Sequence, residues 1–357
     1  MRSMRSMRGT SVWVFVALLA AAGVAEAQVP RTEGPFLQAF LFGDALFTVA
    51  DAGTDDGFKL GQMVAHGNAT LSERVVFFGE LSITAGNSGY GLAMERAIIR
   101  YDFNDPVKIS AGRYHTPISY WNTEFHHGLW LQASVARPEA IRFGSRYVPV
   151  HFVGAMVEGN LNSVPLHYSA GFGNGRGLNI AGAGDGGDVN ANRAFVASAS
   201  LRPRSLLGLR VGGGVYVDRI SDAGGELADE VITSGHVVWD RGNVKASAEF
   251  IHVAHEEIGT GESTGSPSYY VHFAYRLPDD LRLFTPYARY EQMDVDANDV
   301  VFSGSVVDYE ALVAGVRYDF DVLAALKAEY RNEKVGGGGR MDAYFIQASF
   351  AIPVGGS

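Results

Sequence analysis

The sequence predicts an all-β fold, a transmembrane antiparallel β-barrel of about 16 strands with short periplasmic turns and long extracellular loops. Three observations lead there. Apolar and polar residues alternate with period 2 in segment after segment, the pattern of strands with two different faces. The connections between segments switch regularly between short turns and long loops. The chain also opens on a basic and then apolar stretch of the kind that directs export.

Composition narrows the class. Of 357 residues, 47% are hydrophobic and only 19% charged, which argues against long disorder or a coiled coil. The absence of Cys excludes a disulfide scaffold, a thiolate metal site and a cysteine nucleophile. A formal net charge of −10 leaves no basic face for phosphates, so no nucleic-acid partner is expected.

Residues 1–27 have the features of a signal peptide. Arg2, Arg5 and Arg8 form its positive region and Val12 to Ala22 its apolar run. Ala25-Glu26-Ala27 places small residues where a signal peptidase cuts. Residues 28–357 are then a single barrel in the bacterial outer membrane. Export permits disulfides, so their absence fits a wall closed by its own hydrogen bonds.

The strands follow in order. After residue 27 no apolar run approaches the ~20 residues of a membrane helix. Alternating segments fall at about 36–49, 58–71, 73–84, 92–103, 106–113, 148–160, 164–173, 194–202, 208–218, 230–239, 243–254, 268–277, 282–293, 307–319, 322–332 and 342–352. The later ones alternate most clearly. Val244, Ala246, Ala248 and Phe250 oppose Lys245, Ser247 and Glu249. Tyr269, Val271, Phe273, Tyr275 and Leu277 oppose Tyr270, His272, Ala274 and Arg276. Ala324, Leu326, Ala328 and Tyr330 oppose Lys327, Glu329, Arg331 and Glu333.

Long loops are expected at 50–57, 85–91, 114–147, 174–193, 219–229, 255–267, 294–306 and 333–341, interleaved with tight turns. Turn chemistry marks the short connections, as in Asn104-Asp105-Pro106, Asp240-Arg241-Gly242 and Pro278-Asp279-Asp280. Sorting of loop lengths by parity is the asymmetry of a membrane barrel, and it puts both termini on the short-turn side. Two turns of one parity also share a near repeat, Arg100-Tyr101-Asp102-Phe103 and Arg317-Tyr318-Asp319-Phe320, as an interfacial aromatic girdle requires.

The leader, the sixteen segments and a longest loop in third place resemble the bacterial general porins, whose third loop folds into the lumen and narrows it. The stretch Gly112-Arg113-Tyr114-His115-Thr116-Pro117, followed by Trp121-Asn122 and Phe125-His126-His127-Gly128, is similar to the phosphate-selective-porin-like branch. This resemblance implies a homotrimer. The Arg and Lys ladders of that branch do not align onto particular positions here. Such barrels usually end on an aromatic residue, whereas Phe350 is followed here by Ala351-Ile352-Pro353-Val354-Gly355-Gly356-Ser357. Phe350 would have to serve from an internal position.

The function expected is a water-filled channel for diffusion of small hydrophilic solutes, with outer-membrane lipid around it, no cofactor and no enzymatic step. The alternative is an outer-membrane barrel enzyme of lipase-like type, or an adhesin or structural barrel. An enzyme needs a nucleophile and base in hydrogen-bond reach, and no Gly-x-Ser-x-Gly is present. Segment 114–147 is too long for a plain hairpin and is the expected constriction. There Glu124 and Glu139 are expected to face Arg113, Arg137, Arg142 and Arg146 across the bore. Strand phase assigns Arg74, Arg96, Arg100, Lys108, Arg210, Lys245, Arg276, Arg289, Lys327 and Arg331 to the pore wall. Acids in the same phase are fewer, chiefly Asp44, Glu80, Glu249, Glu291 and Glu329, so a preference for anions is expected.

Other clusters point elsewhere less well. His115, His126, His127, His151 and Glu124 crowd the third loop, but adjacent His126 and His127 point apart in an extended chain, so no metal is expected. Asp294-Val295-Asp296-Ala297-Asn298 imitates half a calcium loop, yet Asp299 stands where its Gly belongs and Ser305 where its Glu belongs. The run Gly182 to Asp188 fits a surface loop. Gly171 to Gly177 has no helix after it, so it is no nucleotide fingerprint.

Overall fold

The structure, a computed structural model, describes residues 36–51, 56–125, 128–177 and 180–354. The expected signal peptide, residues 1–27, lies outside the described residues, as do His126 and His127.

Sixteen strands close a barrel: β1 (Phe36–Ala50), β2 (Gly57–Thr70), β3 (Val75–Gly86), β4 (Gly89–Asp102), β5 (Lys108–His115), β6 (His151–Leu161), β7 (Leu166–Gly173) and β8 (Ala194–Leu201), then β9 (Leu209–Asp222), β10 (Gly225–Arg241), β11 (Val244–Glu257), β12 (Ser263–Tyr275), β13 (Phe284–Met293), β14 (Tyr309–Asp321), β15 (Ala324–Val335) and β16 (Arg340–Val354). Each pairs antiparallel with its sequence neighbours. β1 closes the ring on β16, from Ala39 opposite Val354 to Ala50 opposite Ala343. Closure leaves no free edge, which a sheet in hydrocarbon needs because no water is there to satisfy one. Phe350 sits internally in β16, opposite Gly43, where an added Cβ would strike the Phe350 ring.

All sixteen expected segments are strands. The expected alternation of loop lengths holds only in part: the connections 258–262 and 336–339 are shorter than the turns 202–208 and 276–283, and it fails most plainly at 85–91 and 219–229, where long loops were expected. There the strands run on to two-residue connections at 87–88 and 223–224. Residues 86–94 of the first hairpin are exposed throughout, whereas in the second Ile220 and Ala228 are buried and Asn190 of the 180–193 loop donates to the Arg219 carbonyl.

Burial separates the two faces. On β12 the side chains of Ser266, Ser268, Tyr270 and His272 are buried, while Tyr269, Val271 and Phe273 are 37–53% exposed. A barrel standing in water would show the opposite sorting; here the apolar phase turns outward, to lipid. No helix among the described residues is long and apolar enough to cross a membrane. The repeated turn motif has one geometry in both copies. Arg100 pairs with Asp102 at 2.7 Å and Arg317 with Asp319 at 2.8 Å in the inward phase. The other phase sets Tyr101 beside Phe103 and Tyr318 beside Phe320, ring centroids 4.6 and 6.2 Å apart.

Candidate functional site

The connection 116–150 folds into the barrel and lies against the inner wall of β10 to β15. It contains one short helix, α1 (Tyr120–Glu124), and little other regular structure, so many of its backbone groups lack partners of their own. Buried N–H and C=O groups must be satisfied, and the wall does this with charged side chains. Three carboxylates accept loop N–H groups: Glu249 from Tyr120 (2.8 Å), Glu291 from Glu139 (2.7 Å) and Glu329 from Val135 (2.8 Å). Three cations donate to loop carbonyls. Lys327 reaches Leu129 (2.6 Å) and Ser134 (3.1 Å), Arg289 reaches Ala136 (2.9 Å), and Arg317 reaches Trp130 and Gln132 (3.0 Å to the latter). Bonds of this charge-assisted kind are the stronger class.

Apolar packing completes the dock. Ile118, Trp121, Phe125, Ile141, Tyr147 and Val148 of the loop share one buried cluster with Ile232, Ile251, Val253, Tyr270 and Tyr287 of the wall. Gly128 lies against Phe42 of β1 at φ +108°, a left-handed backbone where a Cβ would sit 2.8 Å from the ring. Two further loops fold onto the same wall. Arg176, in 174–193, pairs with Glu230 at 2.6 Å; Glu230 meets His255 at 2.9 Å, and His255 meets Asp299, in 294–308, at 2.7 Å. All four are buried.

The wall cations expected from strand phase are placed as follows. Arg96 pairs with Glu80, and Arg100 with Asp102 and Glu158. Arg210 pairs with Glu124, Lys245 with Asp240 at 3.3 Å, and Arg331 with Glu329 at 2.9 Å. Lys108 begins β5, half-buried. Arg289 and Lys327, both buried, hold the loop rather than facing open water. Arg74 is no strand residue: it lies in the 71–74 turn, its carbonyl accepting from the Asp102 N–H. Arg276 follows the end of β12, 3.9 Å from Asp319.

The charge pairing expected across the bore takes a different form. Glu124 faces Arg210 of the wall, and Arg113 turns to Asp185 at 2.7 Å. Arg137 is buried inside the loop, donating to Asn122 and lying over the Phe143 ring, and burial pushes its guanidinium down to about 9. Glu139 pairs with Arg142 within the loop at 2.5 Å; burial pushes the Glu139 carboxyl up, against the pull of Arg142. Arg146 is exposed, and its carbonyl accepts from Arg176.

Several inward acids were missed by strand phase. Glu158, Asp218 and Glu230 join those expected, and in-phase counting along their strands would have found them. Glu95 carries no such signal. A β-bulge sets Glu80 opposite Arg96 but Leu81 opposite Met94, so Glu95 and Arg96 both enter the interior. Glu95 meets His151 at 3.0 Å, and the His115 and His151 rings lie 5.1 Å apart. Among the described residues no group of three or more His, Asp or Glu is placed to hold a metal ion.

The docked loop leaves space on either side. A cavity of about 270 Å³ lies between Pro117–Glu124 and strands β4 to β10. A larger one of about 910 Å³ opens toward the turn side, lined by Trp130, Leu131, Lys245, Arg276, Arg282 and Asp319 among others.

No protein-family model matches the chain, and no curated protein matches it. Solved structures do. An anion-selective porin from Comamonas acidovorans superposes with a TM-score of 0.65 at 12% identity, over 89% of this chain and 100% of the porin. OmpT, an outer membrane protein of Vibrio cholerae in trimer form, gives 0.60 at 14% identity over 90% and 100% of the two chains. The outer membrane channel DcaP of Acinetobacter baumannii gives 0.60 at 13% identity over 92% and 100%. The chain shares the fold of these sixteen-strand outer-membrane barrels.

Proposed function

We propose that the chain forms a water-filled channel in the bacterial outer membrane, through which small hydrophilic solutes diffuse down their gradients. One observation carries this reading: a closed sixteen-strand wall, apolar outside, holds its long internal loop against one side and leaves cavities beside it. Sixteen strands enclose more volume than their own side chains fill. The narrowest section sets the rate, and the charges there set the preference. We assign no catalytic step. Glu124 and Arg210 form the edge of the constriction, with Arg137, Glu139, Arg142 and Arg146 in the loop behind it and Arg113 on β5 holding Asp185 of the 174–193 loop. Preference for anions would come chiefly from the turn-side mouth, where Arg282 is exposed and Lys245 and Arg276 keep solvent-facing heads beside Asp240 and Asp319, because the cations deeper in the wall are buried in pairs or hold the loop. The trimer form named for the Vibrio protein supports a homotrimer here.

The test is reconstitution. The purified protein should give stepwise ion currents in a planar bilayer and run faster on SDS gels unheated than boiled. A folded, heat-modifiable protein that carries no current would overturn the channel reading.

A further inference from the structure

The cavity beside the loop is lined in a way that charge does not account for. Charged groups on its rim are neutralised locally: Arg210 by Glu124, Arg96 by Glu80, and Glu158 by Arg100. Between these pairs the wall presents hydroxyls. Ser169 of β7 and Ser198 of β8 hydrogen-bond to each other at 2.8 Å, Ser200 follows one pleat along, and Ser234 stands across β9. The intervening strand contributes Gly212 and Gly214 in the inward phase, so it raises no side chain of its own; the Pro117 carbonyl of the loop lies over Gly214, and Ser234 donates to the Ile118 carbonyl. His236 lies on Gly212, where a Cβ would come within 2.7 Å of its ring, and it packs on Tyr120 at 5.3 Å. Neither of its ring nitrogens has a hydrogen-bond partner among the described residues. Thr123 of the loop lines the same cavity, its hydroxyl donating to the Tyr120 carbonyl, while the Asn122 amide is engaged by Thr116, Val150 and Arg137; Tyr114, Ile118 and Met156 supply apolar surface.

We propose that this cavity binds an uncharged, polyhydroxylated solute of about monosaccharide size; the inference rests on the channel reading above. A serine hydroxyl offers one donor and two acceptors, and a neutral imidazole offers one of each. That is the complement of a sugar's own hydroxyls, while the apolar side chains meet its C–H faces. The volume of about 270 Å³ falls just below the ~300–1,000 Å³ range of drug-sized pockets. An anion would need a cation not already neutralised, and the rim's guanidinium groups have carboxylate partners.

The experiment uses the full chain in a planar bilayer under KCl, with D-glucose as probe and gluconate as its size-matched anion. Glucose should reduce the ion current in a concentration-dependent way, and gluconate should do so more weakly. In Ser198→Val and His236→Phe variants, each measured against its own unblocked current and checked for heat-modifiable mobility, the glucose concentration for half-inhibition should rise about three- to tenfold. A current that glucose leaves untouched, or that gluconate inhibits as strongly, overturns the sugar assignment while the channel stands. Unchanged half-inhibition in both variants overturns the placement of the site. A wild-type protein without current overturns the channel reading itself.

Discussion

The ammonium group of Lys327, on β15, donates to the main-chain carbonyl of Leu129, 198 residues earlier in the chain, over 2.6 Å. A wall cation is thereby spent on backbone instead of facing solute. Replacing it with an apolar residue of similar length, Lys327→Met, keeps the volume but strands the Leu129 and Ser134 carbonyls, each charge-assisted bond contributing roughly 1.5–3 kcal/mol. The loop should loosen while the barrel stays closed. Single-channel recording checks this: conductance should become larger or flicker, with the unheated gel mobility unchanged.

Removing the loop outright is the stronger version. Deleting about residues 118–140 should raise single-channel conductance by at least about twofold, because the narrowest section sets the rate. Glu249, Glu291 and Glu329 would then be hydrated by the bore. An unchanged conductance in a folded deletion would place the current path away from this loop.

Selectivity should respond at the turn-side mouth. Arg276 and Arg282 are exposed there, and reversing both to Glu should move the reversal potential under a KCl gradient toward K⁺. The same reversal at Arg289 would test loop docking instead, since that guanidinium is buried against Ala136. A reversal potential indifferent to the mouth pair would show that the deeper wall decides.

Asp299 holds the 294–308 loop by accepting from His255, Thr264 and the N–H groups of Val301 and Phe302. Burial pushes its carboxyl up, but the His255 bond and charge outweigh this and hold it below its ordinary value of 3.8. A depressed carboxyl stabilises the fold above its ordinary value and loses that contribution as pH falls through the lower, folded one. The clamp should therefore persist through mild acid and fail only below pH 3.8. Asp299→Asn should abolish it at neutral pH, at a cost on the order of 3 kcal/mol. Hydrogen exchange at the Val301 and Phe302 amides reads both effects, and protection unaltered in the variant would show that other contacts carry the loop.

The strands were legible because a wall between lipid and water writes its two faces into alternate residues, as Tyr269, Val271 and Phe273 against Ser268, Tyr270 and His272 show. Legibility stopped where that contrast stops. Residues 86–94 are exposed whichever way they point, and in the 219–229 hairpin Ile220 and Ala228 are buried against a loop that strand phase does not foresee. Glu95 enters the interior by a bulge, which shifts the phase by one residue without any change in composition. The partners of Lys327, Arg289 and Glu329 are backbone atoms of another segment, and a carbonyl or amide is the same at every position of a sequence. Phase could say that these side chains face inward; it could not say that a loop was waiting for them.

The separation of 194 residues between Val135 and Glu329 also orders events in time. The loop is synthesised before β11 to β15, so Trp121, Ile118 and Ile141 have no wall to cover them until those strands are in place. Such long-range contacts form late, because loop closure must be met before they reward it. Barrel closure, which sets Ala39 opposite Val354, spans more of the chain still, and the two events can be followed separately, closure by gel mobility and docking by the size of the current. A molecule whose barrel closes before its loop docks should be a wider hole than the mature one, and its current should then decline with time after insertion.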